Sequence, residues 1–408
     1  MTIHIEIFSQ GEELLIGQTV DTNAAWLSEQ LVALGFKVTR HTTVGDSLEN
    51  LIALLHEISA RADCCLCTGG LGPTNDDLTA EAVAQAFNRP LIFDPVAFKQ
   101  IQVFFAQRQH EMPESNLKQA LLPESATRID NQWGTAPGFS IRHQRCWFAF
   151  MPGVPYEMRQ LFTHSIKPKL IDTYPTQPDQ RITFKTIGIG ESAIQQRLKN
   201  ISLPNRVQLG FRTSDEENQT KLIFPYNYPE SEKLSLVEQF TLALGDYVFA
   251  IDGLHENSGD LVATIGAILE SQKLTLTVLE TLSQGLIAAK CIGQPWLLHA
   301  SYQQITHNFL KSFDLQNHAD DWSTLASELA ERQQRESQAD LALVQLHHAD
   351  DAQLRDKDQA VTLYNALATG RSVHTQTITV AGPLRRKQNQ AALMALDLLR
   401  RFLQHKTL

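Results

Sequence analysis

The sequence predicts an α/β protein: a doubly wound parallel sheet first, then a small α+β module, then a second α/β domain. Three observations lead there. The 408 residues exceed what one hydrophobic core usually serves. The opening segments alternate strand-like and helix-like patterns, and two polar breaks, "IDTYPTQPDQ" and "DGLHENSGD", interrupt the chain. The expected domains are 1–170, 171–252 and 253–408.

"IHIEIFSQG" alternates apolar and polar residues and stops at Gly11, as a strand would. In "DTNAAWLSEQLVALG", Leu27, Leu31 and Leu34 recur at helical spacing, with Asp21 or Thr22 as cap and Gly35 as stop. "FKVTRHTTVG" reads as a strand, "SLENLIALLHEISAR" as a helix, and "DCCLCTGG" as a short, wholly apolar strand. This β-α-β-α-β series builds a parallel sheet covered on both faces, with ligands outside the carboxyl ends of the strands. The loops after Gln10 and Cys67 therefore become the candidate site. "PYEMRQLFTHSIKPKL" is a helix before the first break. From "RITFKTIGIG" to "DYVFAIDG" the pattern is strand, helix, two strands, helix, strand. The last region holds the helix "LVATIGAILESQ", the strand "LTLTVLE", the helix "QGLIAAKC", two strands in "QAVTLYNALATG" and "SVHTQTITVAG", and the amphipathic helix "QNQAALMALDLLRRFLQ".

Composition narrows the function. A formal net charge of −10 argues against a phosphate-backbone binder, so no nucleic-acid partner is expected. The start lacks a basic segment followed by an apolar one, and no run approaches the roughly 20 apolar residues of a membrane span. A cytoplasmic protein without a membrane partner is expected. Cys64, Cys65 and Cys67 share one apolar run while Cys146 and Cys291 stand alone, a spacing that suits a buried strand rather than zinc.

"TGGLGPTNDDLT", residues 68–79, carries the chemistry. Glycines let backbone N–H groups approach an anion, and a helix beginning near Asp77 adds its positive end. The lysine of a Walker-type loop is absent, and Asp76 and Asp77 stand there instead. Two carboxylates repel a phosphate unless a divalent cation lies between them, which predicts Mg²⁺, Mn²⁺ or Co²⁺. The alternative is structural: Asp77 caps the following helix and the glycines make a tight turn. The loop after the first strand offers further oxygens in Glu12, Glu13, Asp21 and Asn23. Of these Asp21 and Asn23 are candidates for holding a metal or positioning a water.

"GEELLIGQTVDTNAAWLSEQL", "TVGD", "TGGLGPTNDDLTAEAVA", "NLKQALLP", "GTAPGF" and "MPGVPYEM", in this order across roughly the first 165 residues, resemble the CinA family of competence and damage-inducible proteins. The family's first domain is similar to molybdopterin-binding proteins. The resemblance implies a metal-dependent pyrophosphatase acting on ADP-ribose, then a KH-like module, then a domain that in many members deamidates nicotinamide mononucleotide. Gly69, Gly70, Gly72 and Thr74 match the phosphate-facing turn, and Asp76 and Asp77 its acidic pair; these two and Asp21, from the first loop, are the candidate metal ligands. Asn116, Lys118 and Gln119 match "N-x-K-Q-A", where Lys118 either neutralises a second phosphate or is a solvated lysine. Gly134, Thr135 and Pro137, with Pro152, Gly153, Pro155 and Glu157, either frame the adenine and ribose or make structural turns. Leu71 in "GGLG", where the molybdopterin-handling relatives tend to read "GGTG", favours the CinA side. Adenylyl transfer to molybdopterin and non-catalytic nucleotide binding are the alternatives. A small-molecule nucleotide and a second copy of the chain are the expected partners.

Deamidating members carry "E-S-[CL]-T-G-G", and this chain reads "ETLSQG". Glu280 and Gly285 persist, Thr281 and Ser283 replace the serine and threonine, and Gln284 replaces a glycine. A side chain in that turn endangers its backbone donors, so loss of the deamidase activity is expected, with residual amidohydrolase activity as the alternative. The later loop has become "VQLHHADDAQ", in which His347, His348, Asp350 and Asp351 read as a polar loop rather than a metal site. In the middle module "GIGES" lacks KH-type spacing, which favours a spacer or dimerisation role.

Overall fold

A computed structural model describes residues 3–254, 259–304 and 321–407. The protein is mixed α/β and divides into two compact units, residues 1–179 and 180–408.

The first unit is built on a six-stranded sheet. β1 (His4–Gln10) lies between β2 (Lys37–Val44) and β3 (Cys64–Thr68), parallel to both, and β3 runs parallel to β8 (Cys146–Met151). The order continues through β7 (Gly138–His143) and β6 (Thr127–Ile129), both antiparallel to their neighbours. The parallel sheet expected from the sequence is thus the first part of a mixed one. Alternation sorts the two faces. Ile5, Ile7, Cys64 and Leu66 pack with Leu27 and Leu31 of α2 (Thr22–Ala33), whereas Phe8, Cys65 and Cys67 pack with α3 (Leu48–Arg61) and α4 (Thr79–Ala86). α2 leaves β1 for one face and α4 leaves β3 for the other, so the carboxyl ends of these neighbouring strands form the topological switch point. α1 (Glu12–Leu15), a short β4 (Leu91–Phe93), α5 (Pro95–Gln107) and β5 (Leu121–Pro123) complete the span before β6.

The helix expected over "PYEMRQLFTHSIKPKL" is interrupted. α6 (Pro155–Leu161) and α7 (Lys167–Thr173) flank a π-turn at Phe162–Ile166, because Pro168 lacks an N–H and its ring crowds the carbonyl four residues back. The polar stretch after it is anchored within this unit: Tyr174 donates to the carbonyl of Asp63, and Thr176 to that of Leu34.

In the second unit β9 (Gln180–Thr186), α8 (Glu191–Leu198), β10 (Gln208–Thr213), β11 (Asn218–Phe224), α9 (Glu230–Leu244) and β12 (Val248–Asp252) follow the pattern read from the sequence. They form an antiparallel sheet in the order β10-β11-β9-β12. The second sheet of this unit has the order β14-β13-β15-β16-β17. β13 (Leu276–Glu280) is parallel to β14 (Leu297–Tyr302) and β15 (Leu341–His347), while β16 (Val361–Ala368) and β17 (Val373–Val380) run antiparallel. α10 (Leu261–Gln272), α11 (Leu286–Lys290) and α14 (Leu384–Leu403) contribute to the core on one face, and α12 (Trp322–Ser337) covers the other. Part of "VQLHHADDAQ", expected as a loop, is the end of β15. Gln345 and His347 break its apolar pattern yet lie buried in the strand. Beyond it Asp350 opens α13 (Asp351–Arg355) with a capping box to Gln353.

All five cysteines are free and buried, and burial pushes their thiols upward, that of Cys291 to about 12. Buried charge is concentrated on α14. Asp397 accepts from the guanidinium of the fully buried Arg400 and, at 2.8 Å, from Arg401, while Arg400 also reaches the carbonyl of Asp246 at 2.9 Å. Removing one partner of such a group leaves a buried charge uncompensated. Asp397→Ala is expected to destabilise the second unit by about 3–5 kcal/mol, measured by urea unfolding.

Candidate functional site at the carboxyl ends of β1 and β3

Gly69 and Gly70 follow β3 with φ of +98° and +66°, a left-handed pair that residues bearing a Cβ rarely adopt. A Cβ on Gly69 would strike the Gln10 carbonyl, and one on Gly70 the Gln10 amide and the Thr79 hydroxyl. The turn is tied on both sides. Gly69 N–H donates to Met151 O at 3.0 Å, Thr79 N–H to Gly70 O at 3.1 Å, and the Thr79 hydroxyl to Gly69 O at 3.0 Å.

Gln10, buried at the end of β1, was not singled out by the sequence. Its amide donates to Asp46 Oδ1 at 2.8 Å and to the Asp76 carbonyl at 3.4 Å, and its oxygen shares the single Thr79 hydroxyl proton with Gly69 O. Asp46, in "TVGD", also accepts from Glu12 N–H at 3.2 Å. One side chain thus braces three loops.

The acidic pair divides its tasks. Asp77 Oδ2 accepts from both the N–H (2.8 Å) and the hydroxyl (2.5 Å) of Thr74, folding the loop back on itself. The helix begins at Thr79 with Leu78 as N-cap, so Asp77 is not its cap, and the helix starts two residues later than the sequence suggested. Asp76 is exposed, and the Thr74 hydroxyl, whose one proton it shares with Asp77, together with its own backbone N–H holds its carboxyl below the usual range. Lys118 donates to the Thr74 carbonyl at 2.7 Å, which brings its ammonium to the same loop. Asn116 lies behind that loop, bonded at 2.8 Å to Gln119, whose amide in turn holds the Leu71 carbonyl at 3.1 Å. Gly72 faces the Asp77 carboxylate closely enough that a Cβ would collide with it.

Asp21 caps α2 through Ala24 N–H at 2.9 Å. Asn23 is buried and donates from Nδ2 to Gly153 O at 2.7 Å, joining the loops after β1 and β8. Pro152 is buried beside the exposed Gly153. The "GTAPGF" turn centres on Asn131, another residue the sequence reading missed. Asn131 Oδ1 accepts from Trp133 and Gly134 N–H, and its Nδ2 donates to Glu157 Oε2 at 2.7 Å and to Ala136 O at 2.8 Å. Burial pushes the Glu157 carboxyl upward, opposed by the Asn131 bond. Thr135 is half-buried on that turn. Among the described residues, no three His, Cys, Asp or Glu side chains are gathered as a metal-binding group. Asp21, Asp76 and Asp77 are thus not a ready-made three-carboxylate cage. The oxygen donors of the loop nonetheless suit Mg²⁺ or Mn²⁺, which bind through one or two carboxylates, waters and substrate phosphate.

In the second unit the residues of "ETLSQG" are turned inward. Glu280 is fully buried and accepts from Ile287 and Ala288 N–H, both at 3.0 Å, and from the Ser283 hydroxyl. Thr281 Oγ lies 3.0 Å from Gln345 O and 2.8 Å from His347 Nδ1. The carbonyl only accepts, so both contacts are hydrogen bonds only when the single hydroxyl proton goes to Gln345 and His347 donates from Nδ1. In that tautomer His347 cannot take a proton from Thr281. Gln284 and Gly285 both have positive φ (+52° and +91°), so two successive residues of the turn are left-handed and the first of them bears a side chain.

The chain is similar to known proteins. Residues 6–172 fit the family model described as "Probable molybdopterin binding domain". A CinA-like protein of Shewanella halifaxensis is 33% identical over 411 residues, covering 97% of this chain and 95% of the relative. The chain belongs to the CinA-like family. A CinA-like protein of Shewanella piezotolerans matches at 33% identity over 410 residues with the same coverage. Among solved structures, the CinA protein of Thermoplasma acidophilum is 32% identical with a TM-score of 0.38, covering 41% of this chain and 98% of that one. The molybdopterin biosynthesis enzyme MoaB of Thermus thermophilus is 18% identical with a TM-score of 0.30, covering 42% and 94%. No helix among the described residues is long and apolar enough to cross a membrane.

Burial lowers the His347 imidazole to about 4, with His348 adding to the shift and Asp351 opposing it. The folded protein keeps this ring neutral, while the unfolded chain protonates it near its ordinary value of 6.5. Its contribution to stability is therefore fully present above about pH 6.5 and is lost as the pH falls toward 4, roughly 3 kcal/mol across the window. Denaturant titrations of His347→Gln between pH 7 and 4 are expected to show a shallower loss of stability than the parent.

Proposed function

We propose that the first unit hydrolyses a nucleotide pyrophosphate, ADP-ribose foremost, to AMP and ribose 5-phosphate in the presence of a divalent cation. The observation that carries this reading is the left-handed Gly69–Gly70 turn at the switch point, followed at once by an exposed carboxylate held deprotonated. The turn presents bare backbone to one phosphate, and Lys118, carried to the loop by its bond to Thr74 O, supplies positive charge to the other. Asp76 and Asp77 would hold the cation, which when bound supplies charge neutralisation on the phosphoryl oxygens. Asp76 also orients the water. One water adds to phosphorus, and the bond to the bridging oxygen breaks with its electron pair staying on that oxygen. Two protons pass to solvent as both phosphate monoesters ionise. The loops carrying Gly134, Thr135 and Glu157, and Pro152 and Gly153, frame the adenosine.

The test is incubation of the purified chain with ADP-ribose and a panel of divalent ions, with AMP followed by chromatography. Turnover is expected to vanish in EDTA and return with Mg²⁺, Mn²⁺ or Co²⁺; full activity in chelator removes the metal from the reading. Asp76→Asn and Asp77→Asn are expected to lower kcat far more than stability, since asparagine keeps an accepting oxygen for the loop and each loop hydrogen bond contributes only about 1 kcal/mol. The family model's description keeps adenylyl transfer to a molybdopterin as the second reading, recognised by an adenylylated acceptor instead of free AMP.

For the second unit the reading is loss of nicotinamide mononucleotide deamidation. Thr281 and Ser283 are buried and their hydroxyl protons are engaged within the protein, which supports it. The full-length chain is expected to release no ammonia from nicotinamide mononucleotide in a coupled assay. Release that disappears in Thr281→Ala or Ser283→Ala overturns that expectation.

A further inference from the structure

The side chain of Asn23 is only 9% exposed, and its two polar atoms differ in kind. Nδ2 lies 2.7 Å from the carbonyl of Gly153, an acceptor, so that end is the amide nitrogen and the orientation of the group is settled. Oδ1, buried as well, has no hydrogen-bond partner among the described residues. An unpartnered buried acceptor is costly, and such atoms in native proteins are met by ordered water or by a ligand.

Its location narrows what that partner is. Asn23 stands in the first turn of α2, two residues after the Asp21 cap, and Gly153 packs on the phosphate-facing turn: a Cβ built there would lie 3.5 Å from Gly69 Cα. Phosphate oxygens and carboxylates are acceptors and cannot satisfy Oδ1. The partner must bring an N–H or O–H donor. Of such donors, water is the one that the hydrolysis consumes beside the phosphate.

Resting on the hydrolase reading above, we propose that Asn23 Oδ1 holds the attacking water, accepting one of its protons in a hydrogen bond and so turning an oxygen lone pair toward phosphorus. Asn23 takes no proton. Its amide is fixed by Gly153 O, and this anchor makes the orientation rigid.

The experiment compares wild-type protein with Asn23→Ala on ADP-ribose with Mg²⁺ or Mn²⁺, recording kcat and KM separately together with the urea unfolding midpoint. A second measurement is a high-resolution crystal structure of the wild-type protein with a non-hydrolysable methylene analogue of ADP-ribose. The expected result is a kcat lower by about a hundredfold with KM changed less than about threefold, and a water within hydrogen-bond distance of Oδ1. A raised KM with kcat intact assigns Oδ1 to a hydroxyl of the substrate and overturns the proposal, as does an alanine variant with normal kinetics. If the alanine variant does not fold, the crystal decides: an Oδ1 bonded to a substrate hydroxyl or to protein, with no water, overturns it. Wild-type protein that forms no AMP overturns the hydrolase reading and this assignment together. AMP formation with an unaffected variant removes the assignment alone.

Discussion

Where β1 and β3 end side by side, the chain has no room for a Cβ. The carbonyl and the amide of Gln10 occupy the space that side chains at positions 69 and 70 would need, and the two glycines respond by adopting φ values open to almost no other residue. Everything at this end of the sheet is referenced to that contact. The amide of Gln10 reaches Asp46 after β2 and the backbone of Asp76, while its oxygen meets Thr79 at the start of α4. A displacement of β1 along the sheet would therefore move the acidic loop, the glycine turn and the helix start together. Parallel pairing of β1 with both neighbours resists such a slip, because β1 and β3 are buried on both faces.

The parallel part of this arrangement was legible in the sequence, since Leu27, Leu31 and Leu34 mark a helix by period and "DCCLC" marks a strand buried on both sides. The glycine turn was legible because few other roles call for so many glycines at one strand end. Gln10 and Asn131 were not. Each is a single amide whose importance comes from partners, such as Asp46 and Glu157, brought close only by folding. Asp77 was legible as important, but not that its carboxylate would be engaged by Thr74. β15 escaped because Gln345 and His347 interrupt its apolar run. Their burial is offset in part by hydrogen bonds to Ser283 and Thr281 in the turn after β13, far away in sequence, which no local pattern reveals.

The two sites show opposite uses of similar residues. In the first unit carboxylate and hydroxyl groups stand on loops at the surface, and Asp76 keeps its charge facing solvent. In the second, Glu280, Thr281, Ser283 and His347 close a network inside the sheet layer, and the imidazole is kept neutral by its dry surroundings. Here the Ser283 N–H is met by Gln345 Oε1 and the Thr281 hydroxyl by the Gln345 carbonyl.

The cysteines record the integrity of each unit separately. Cys64, Cys65, Cys67 and Cys146 lie in the sheet of the first unit and Cys291 in the core of the second, and all have thiols pushed away from the reactive thiolate. An alkylating reagent can reach any of them only after the surrounding layer has opened, so the rate of labelling is a clock for that opening. Because four thiols belong to one unit and a single thiol to the other, the two clocks run on different peptides of the same molecule. A nucleotide held by the first unit alone would slow one of them and leave the other at its own pace.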